Sequence, residues 1–182
     1  MTPHDITQRI WAELRSAGTD KHHAWRNPVL ATVDAGGQAC ARTVVLRAAD
    51  SHQQHLTFFT DQRSPKVRQL QQSNRAALVF WSAALQWQLR ASVHITVQTA
   101  GTQVDAAWNR LQKSAAAADY LRVALPGAPL APAPDQTSAD PSSTHYLCLL
   151  VAKVVELDWL ELAPQGHRRL RIQDAHTEWL VP

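Results

Sequence analysis

From Leu85 to Val97 every second residue is apolar (Leu85, Trp87, Leu89, Ala91, Val93, Ile95 and Val97), while Gln86, Gln88, Arg90, Ser92, His94, Thr96 and Gln98 fill the places between. Successive side chains of an extended chain point to opposite faces, so this pattern predicts one long strand, Leu85 to Thr99, with one buried and one polar face. Such a strand needs partners on both edges. Val29–Val33 and Ala39–Leu46 flank the turn Asp34-Ala35-Gly36-Gly37 and predict a hairpin. Leu56–Thr60, Ala76–Trp81, Tyr146–Leu157, His167–Ile172 and Thr177–Val181 are further runs of strand formers. Short connections favour antiparallel pairing, and closing such a sheet on itself removes its exposed edges. The expected fold class is mainly β, an antiparallel barrel with peripheral α-helices.

Three helices are expected around the sheet. Thr2 reads as an N-cap, with Pro3 at the first helical position and Asp5 closing a capping box, and Ile6, Ile10, Trp11 and Leu14 line one face of a helix to about Ala17. Ser64-Pro65 starts a short basic helix through Leu70, and Thr102 with Asp105 repeats the capping spacing for a helix to Leu111. Pro126, Gly127, Pro129, Pro132, Pro134 and Pro141 break any regular structure and predict a Pro/Ala-rich loop at about 125–144. With 182 residues, 45% of them apolar and 18% charged, the chain suits one domain, 1–182. The first residues lack the basic and apolar regions of a secretory signal and no stretch is long enough to span a bilayer, so a cytoplasmic protein without a membrane partner is expected. Cys40 and Cys148 stand far apart in apolar segments and are expected to be inert core residues.

Several chemistries are excluded by pattern. The six glycines cannot write a dinucleotide GxGxxG or a phosphate-cradling P-loop, so any phosphate must be gripped by side chains. No HExxH occurs, His22-His23 and His52/His55 lack a third ligand nearby, and no metal is expected. No GxSxG elbow is present. Nucleic acid is not expected as a partner, because the tryptophans fall mostly on apolar strand faces with no basic stripe beside them. The cations divide into fourteen arginines and four lysines, which fits either oxyanion recognition or genomic base composition, so positions must decide. Arg42, Arg47, Thr60, Ser64, Lys66, Gln88, Trp159, His167 and Arg169 fall at strand ends and a helix start. Arg42 and Lys66 can converge on a dianion where a hairpin strand and a helix N-terminus meet at a barrel rim; the alternative is two solvated surface cations.

The stretch from Asn27 to Gly101 resembles the pyridoxamine 5'-phosphate oxidase family. Its R-x-V-L-L-K strand, F-Y-T-N strand end, S-R-K helix start and L-x-R-Q-V strand appear here as Arg42-Thr43-Val44-Val45-Leu46-Arg47, Phe58-Phe59-Thr60-Asp61, Ser64-Pro65-Lys66 and Leu85-Gln86-Trp87-Gln88-Leu89. Near the carboxyl end, Trp159, His167 and Arg169 match a family Trp with a His eight and an Arg ten residues on, and Trp179-Leu180-Val181-Pro182 matches its tail. The resemblance implies a Greek-key split β-barrel that binds flavin mononucleotide (FMN) across a homodimer interface. It implies that Arg42, Thr60, Ser64 and Lys66 hold the FMN phosphate and ribityl chain, with Thr43 and Arg47 in the same binding strand. Val44, Val45 and Phe59 would line the isoalloxazine, Gln88 would bond its polar atoms, and Trp159 and Arg169 would come from the second subunit. His167 is the candidate catalytic residue, by its register with Trp159 and Arg169. Arg47 replaces the family's lysine and Pro65 its arginine, so one phosphate donor is missing.

The family's substrate phosphate is held by a Tyr, an Arg four residues on and a Ser four beyond. Aligned without gaps these fall on Trp108, Gln112 and Ala116, a one-residue shift offering Lys113, and an Arg two before the C-terminal His becomes Gln165. The expectation is a divergent member with negligible turnover of pyridoxamine or pyridoxine 5'-phosphate: an FMN-dependent oxidoreductase acting on an unidentified small molecule, or a non-catalytic flavin-binding or sensor protein on the same barrel.

Overall fold

The computed structural model describes residues 1–122, 124–129, 145–174 and 176–182, so most of the expected 125–144 loop lies outside the described residues. In chain order the elements are α1 (Pro3–Thr19), a 3-10 turn (Ala24–Arg26), β1 (Val29–Val33), β2 (Ala39–Thr43), β3 (Leu46–Asp50), β4 (His55–Asp61), α2 (Pro65–Gln72), β5 (Arg75–Ser82), β6 (Trp87–Gln98), α3 (Thr102–Leu111), a 3-10 segment (Ala115–Tyr120), β7 (Leu147–Glu161), β8 (Arg168–Gln173) and β9 (His176–Leu180). The capping box of α1 forms: the Thr2 hydroxyl accepts from the Asp5 amide, and the Asp5 carboxylate accepts from the Thr2 amide. Ile6, Ile10, Leu14 and Ala17 turn inward and are fully buried.

All strand pairs are antiparallel, in the order β2-β1-β5-β6-β7-β4-β3. β7 is the hub: one edge runs along β6, while on the other Leu147–Asp61 and its neighbours pair with β4 and the Leu157–Glu161 half pairs with β8, which carries β9. The path begins at β2 and ends at β3, consecutive strands joined through Val44 and Val45 with no ladder between them; the Val44 amide instead donates to the Pro28 carbonyl at 3.0 Å. The sheet is thus closed by the chain and open in its hydrogen bonding, an antiparallel split barrel. Its interior holds the alternating residues Trp87, Leu89, Ala91, Val93 and Ile95, together with Trp25, Phe80 and Trp159. Trp25 stands 5.7 Å from Phe80 and 6.4 Å from Trp87, and Trp87 meets Trp159 edge-on at 5.1 Å.

Several expectations are corrected. The Ala39–Leu46 run is two strands, broken at Val44-Val45 where the sheet splits. β6 starts at Trp87, because residues 83–86 turn and Gln86 adopts φ 54°. β7 continues past its apolar run to Glu161 and so takes up Trp159. Thr102 caps nothing: Gly101, at φ 104°, occupies the N-cap of α3, and no side chain caps that helix. Cys148 is fully buried and burial pushes its thiol up to about 12, whereas Cys40 is only half-buried, accepting at 3.4 Å from Gln69.

Candidate functional site

The cations expected to meet at the barrel rim do so. β2 carries Arg42 on its inner side, opposite Leu30 of β1, and the guanidinium reaches under α2, donating to Thr32 Oγ1 at 2.5 Å and Gln69 Oε1 at 3.1 Å. The Lys66 ammonium, on the first turn of α2, donates to Thr60 Oγ1 at 2.9 Å and Ser64 Oγ at 3.3 Å. Ser64 is the N-cap of α2 but its hydroxyl makes no cap bond, and Pro65 fills the first position, where no amide is needed. Burial, and then the neighbouring Arg42 charge, hold the Lys66 ammonium below the usual lysine range. The adjacent carboxylate, Asp61, is held by Arg63 at 2.6 Å. Two cations, two hydroxyls and a helix start therefore share a rim with no carboxylate bonded to either cation among the described residues, and this donor set fits a phosphate dianion.

The chain from Arg42 to Arg47 runs along the split, with Val44 buried and Val45 half-buried. β3 then pairs with β4 through Leu46↔Phe58 and Ala48↔Thr57, so Arg47 is one extra residue, a β-bulge. Its guanidinium lies over the Phe59 ring, 5.4 Å from the centroid, and its Nε is buried without a partner. Both residues line a cavity of about 700 Å³ on the outer side of β3, β4 and β7, roofed by α3. Tyr120, which the sequence reading missed, is buried against Leu147 and Leu149; burial raises its hydroxyl and the nearby Arg47 charge opposes that.

Gln88 and Arg169 lie elsewhere, on the outer face of the sheet. The register Trp81↔Gln88↔Leu160↔Arg169 puts them in one row, with exposed Thr43 at the far edge of the same face. Arg169 bonds Asp158 Oδ1 at 3.0 Å and Oδ2 at 2.7 Å, and Arg90 closes on the same carboxylate from β6. Trp159 does not reach that face: it is 0% exposed inside its own barrel, and its indole Nε1 is buried without a partner, so the direct flavin contact implied for it is not available. His167 is exposed on the turn before β8.

The residues that the ungapped register offered for a substrate site lie apart from this cavity. Trp108 stacks on His145 at 4.4 Å, and neither Gln112 nor Ala116 lines the cavity, whereas Ala106, Arg110 and Ser114, two residues earlier in each case, do. Where a one-residue shift offered Lys113, the cavity wall carries Arg110. The spacing of Arg110 and Ser114 was visible in the sequence; what was missing was the face of α3 that looks at β7.

A family model described as "Pyridoxamine 5'-phosphate oxidase, FMN-binding domain" matches residues 8–99. The chain is 36% identical over 107 residues to the pyridoxine/pyridoxamine 5'-phosphate oxidase of Chromohalobacter salexigens, covering 59% of this chain and 46% of that protein. It is 48% identical over 89 residues to that of Bordetella avium, covering 49% and 40%. It thus spans less than half the length of these curated relatives. Among solved structures, a pyridoxamine 5'-phosphate oxidase-related, FMN binding protein from Nostoc punctiforme superposes with a TM-score of 0.75 at 24% identity, covering 100% of this chain and 99% of that one. PhzG from Burkholderia lata, in complex with tetrahydrophenazine-1-carboxylic acid, gives 0.74 at 18% identity, covering 99% and 92%. The matched stretch holds the split and the rim cations just described, and the chain belongs to the family of the pyridoxamine 5'-phosphate oxidase FMN-binding domain.

Proposed function

We propose that this chain binds FMN as a homodimer and acts as an FMN-dependent oxidoreductase on a small molecule. The rim cluster carries this: Arg42 and Lys66 stand together with no carboxylate bonded to them among the described residues, and each charge-assisted bond to a phosphate is worth about 1.5–3 kcal/mol. Arg42, Thr60, Ser64 and Lys66 hold the phosphate end, Thr43 adds a polar contact, and Val44, Val45 and Phe59 offer apolar lining toward Arg47. When bound, the flavin supplies hydride transfer, and the protein's part is to orient it and keep water out. Gln88 and Arg169 lie away from their own rim and serve the site of a second copy. On the outer face that copy would cover, Val29, Val33 and Trp81 are 37%, 47% and 44% exposed. Trp159 stiffens β7 from inside. The cavity beside Arg47, of the size that small-molecule sites have, favours an enzyme over a sensor. Residues 1–182 act as one domain, and two free cysteines suit a cytoplasmic setting.

Denatured protein should release FMN rather than FAD or riboflavin, and Lys66→Ala should weaken FMN far more than riboflavin. Equal affinities for FMN and riboflavin would rule out the phosphate assignment. Reduction by NAD(P)H, or turnover of trial substrates including pyridoxamine 5'-phosphate, separates enzyme from sensor.

A further inference from the structure

Antiparallel pairing puts directly opposite residues on one face of a sheet, and toward the end of β6 away from Gln88 it lines up ionisable side chains from five strands. Arg75 of β5 stands opposite His94 of β6, His94 opposite Lys153 of β7, Lys153 opposite His55 of β4, and His55 opposite Asp50 of β3. The residues next to them in each strand, among them Leu56, Val93, Ala152 and Val154, point into the core, so this row lies on the outer face. Arg75, His94 and Lys153 are exposed and His55 is half-buried. At a strand spacing of about 4.8 Å the four basic side chains cover roughly 14 Å, and the row stands roughly 20 Å along β6 from Gln88. None of the four joins an ion pair among the described residues. Lys153 donates to the Gln53 carbonyl at 2.8 Å, and Asp50 is turned into its own hairpin, accepting from the His52 and Gln53 amides at 2.8 and 3.0 Å.

Aligned like charges repel one another, and a partner of opposite charge relieves that repulsion. The stripe is short: Asp50 closes it at β3, and Glu156, opposite Ser92, stands on the next row of the same face. Carboxylates on two sides suit a short run of acidic side chains and oppose a long phosphate backbone, and no Trp, Tyr or Phe stands in the row for bases to stack on. We propose that Arg75, His94, Lys153 and His55 form a docking stripe for an acidic segment of a partner polypeptide, whose Asp and Glu carboxylates meet the row by charge complementarity. His55 also lines the cavity, so the docked segment lies beside it. The proposal stands independently of the flavin reading, since none of the four belongs to the rim or to the Arg42–Arg47 segment.

The test is fluorescence anisotropy of the full chain with labelled octaglutamate, octaglutamine and octalysine peptides at low salt, with a ten-nucleotide thymidine strand and phosphatidylserine vesicles measured beside them. Octaglutamate should bind, the other two peptides should not, and added salt should weaken the complex. The double variant Arg75→Gln/Lys153→Gln should weaken octaglutamate roughly fivefold or more, as the loss of two exposed ion pairs implies. Lys21→Gln, at an exposed cation on the turn after α1, should leave it unchanged. All three positions are exposed, so the variants should melt like the parent protein. Octaglutamine binding as well as octaglutamate, an affinity unchanged in the double variant, or an equal loss in Lys21→Gln would each overturn the proposal. Tighter binding of the oligonucleotide or the vesicles through the same residues would also overturn it and assign the row to nucleic acid or to a membrane surface.

Discussion

Lys66 concentrates the chemistry of the rim in one titrating group. Burial and Arg42 depress its pKa in the folded protein, so its charge opposes folding, and stability recovers as pH rises through the folded value toward the unfolded 10.5. A phosphate favours the ammonium and reverses this. FMN binding should therefore take up a proton in the alkaline window between the free and bound values, and FMN affinity should fall as pH rises through it while riboflavin affinity stays flat. Fluorescence titrations at a series of pH values measure both. In Lys66→Ala the slope should vanish and FMN should bind roughly ten- to a hundredfold more weakly. A parallel decline for riboflavin would show that the phosphate is held elsewhere.

At the level of elements, α1 and β3 meet at Gly18. A Cβ built there lies 3.2 Å from Ala48 Cα and 3.4 Å from the Arg47 carbonyl, both backbone atoms of the bulged strand. Gly18→Ala should cost about 1–3 kcal/mol by overpacking, lowering Tm by several degrees in a thermal melt; an unchanged Tm would mean the helix end moves freely. How legible such elements were depends on the range of what decides them. The capping box of α1 and the alternation of β6 are set by residues a few positions apart, and both were visible in the sequence. The break after Thr43, the bulge at Arg47 and the length of β7 are decided by partner strands many residues away. Gly101 at φ 104° took the cap that Thr102 was expected to provide, a backbone choice that side-chain spacing does not record. The approach of Arg42 to Lys66 could be anticipated because a strand end and a helix start each announce themselves, whereas Thr60 and Ser64 joined them only through the family resemblance. The burial of Trp159 could not, since it depends on Trp87 of the neighbouring strand, more than seventy residues earlier in the chain.

For the whole molecule the outer face matters most, with Asp158 as its charged node. Burial raises the Asp158 carboxyl, but Arg169 and Arg90 together outweigh it and hold it below 3.8, so its stabilisation is present above that value and is lost as pH falls through the lower folded pKa. Asp158→Asn leaves two guanidiniums facing each other and should cost about 1–3 kcal/mol in denaturant melts near neutral pH, the difference shrinking in strong acid. If that face is where two copies meet, sedimentation should show a dimer. Mixing Arg42→Ala and Arg169→Ala proteins should then restore part of the FMN binding that each lacks, because one of the two sites in a heterodimer is intact; a mixture no better than its parents argues against shared sites. The six residues from Arg42 to Arg47 tie the phosphate rim to the cavity by one continuous length of backbone, its far end offset by the extra residue of the bulge. That makes the segment a ruler: its length fixes the span between the rim cations and the cavity, and inserting or deleting a single residue there would slide Arg47 along β4 relative to Arg42.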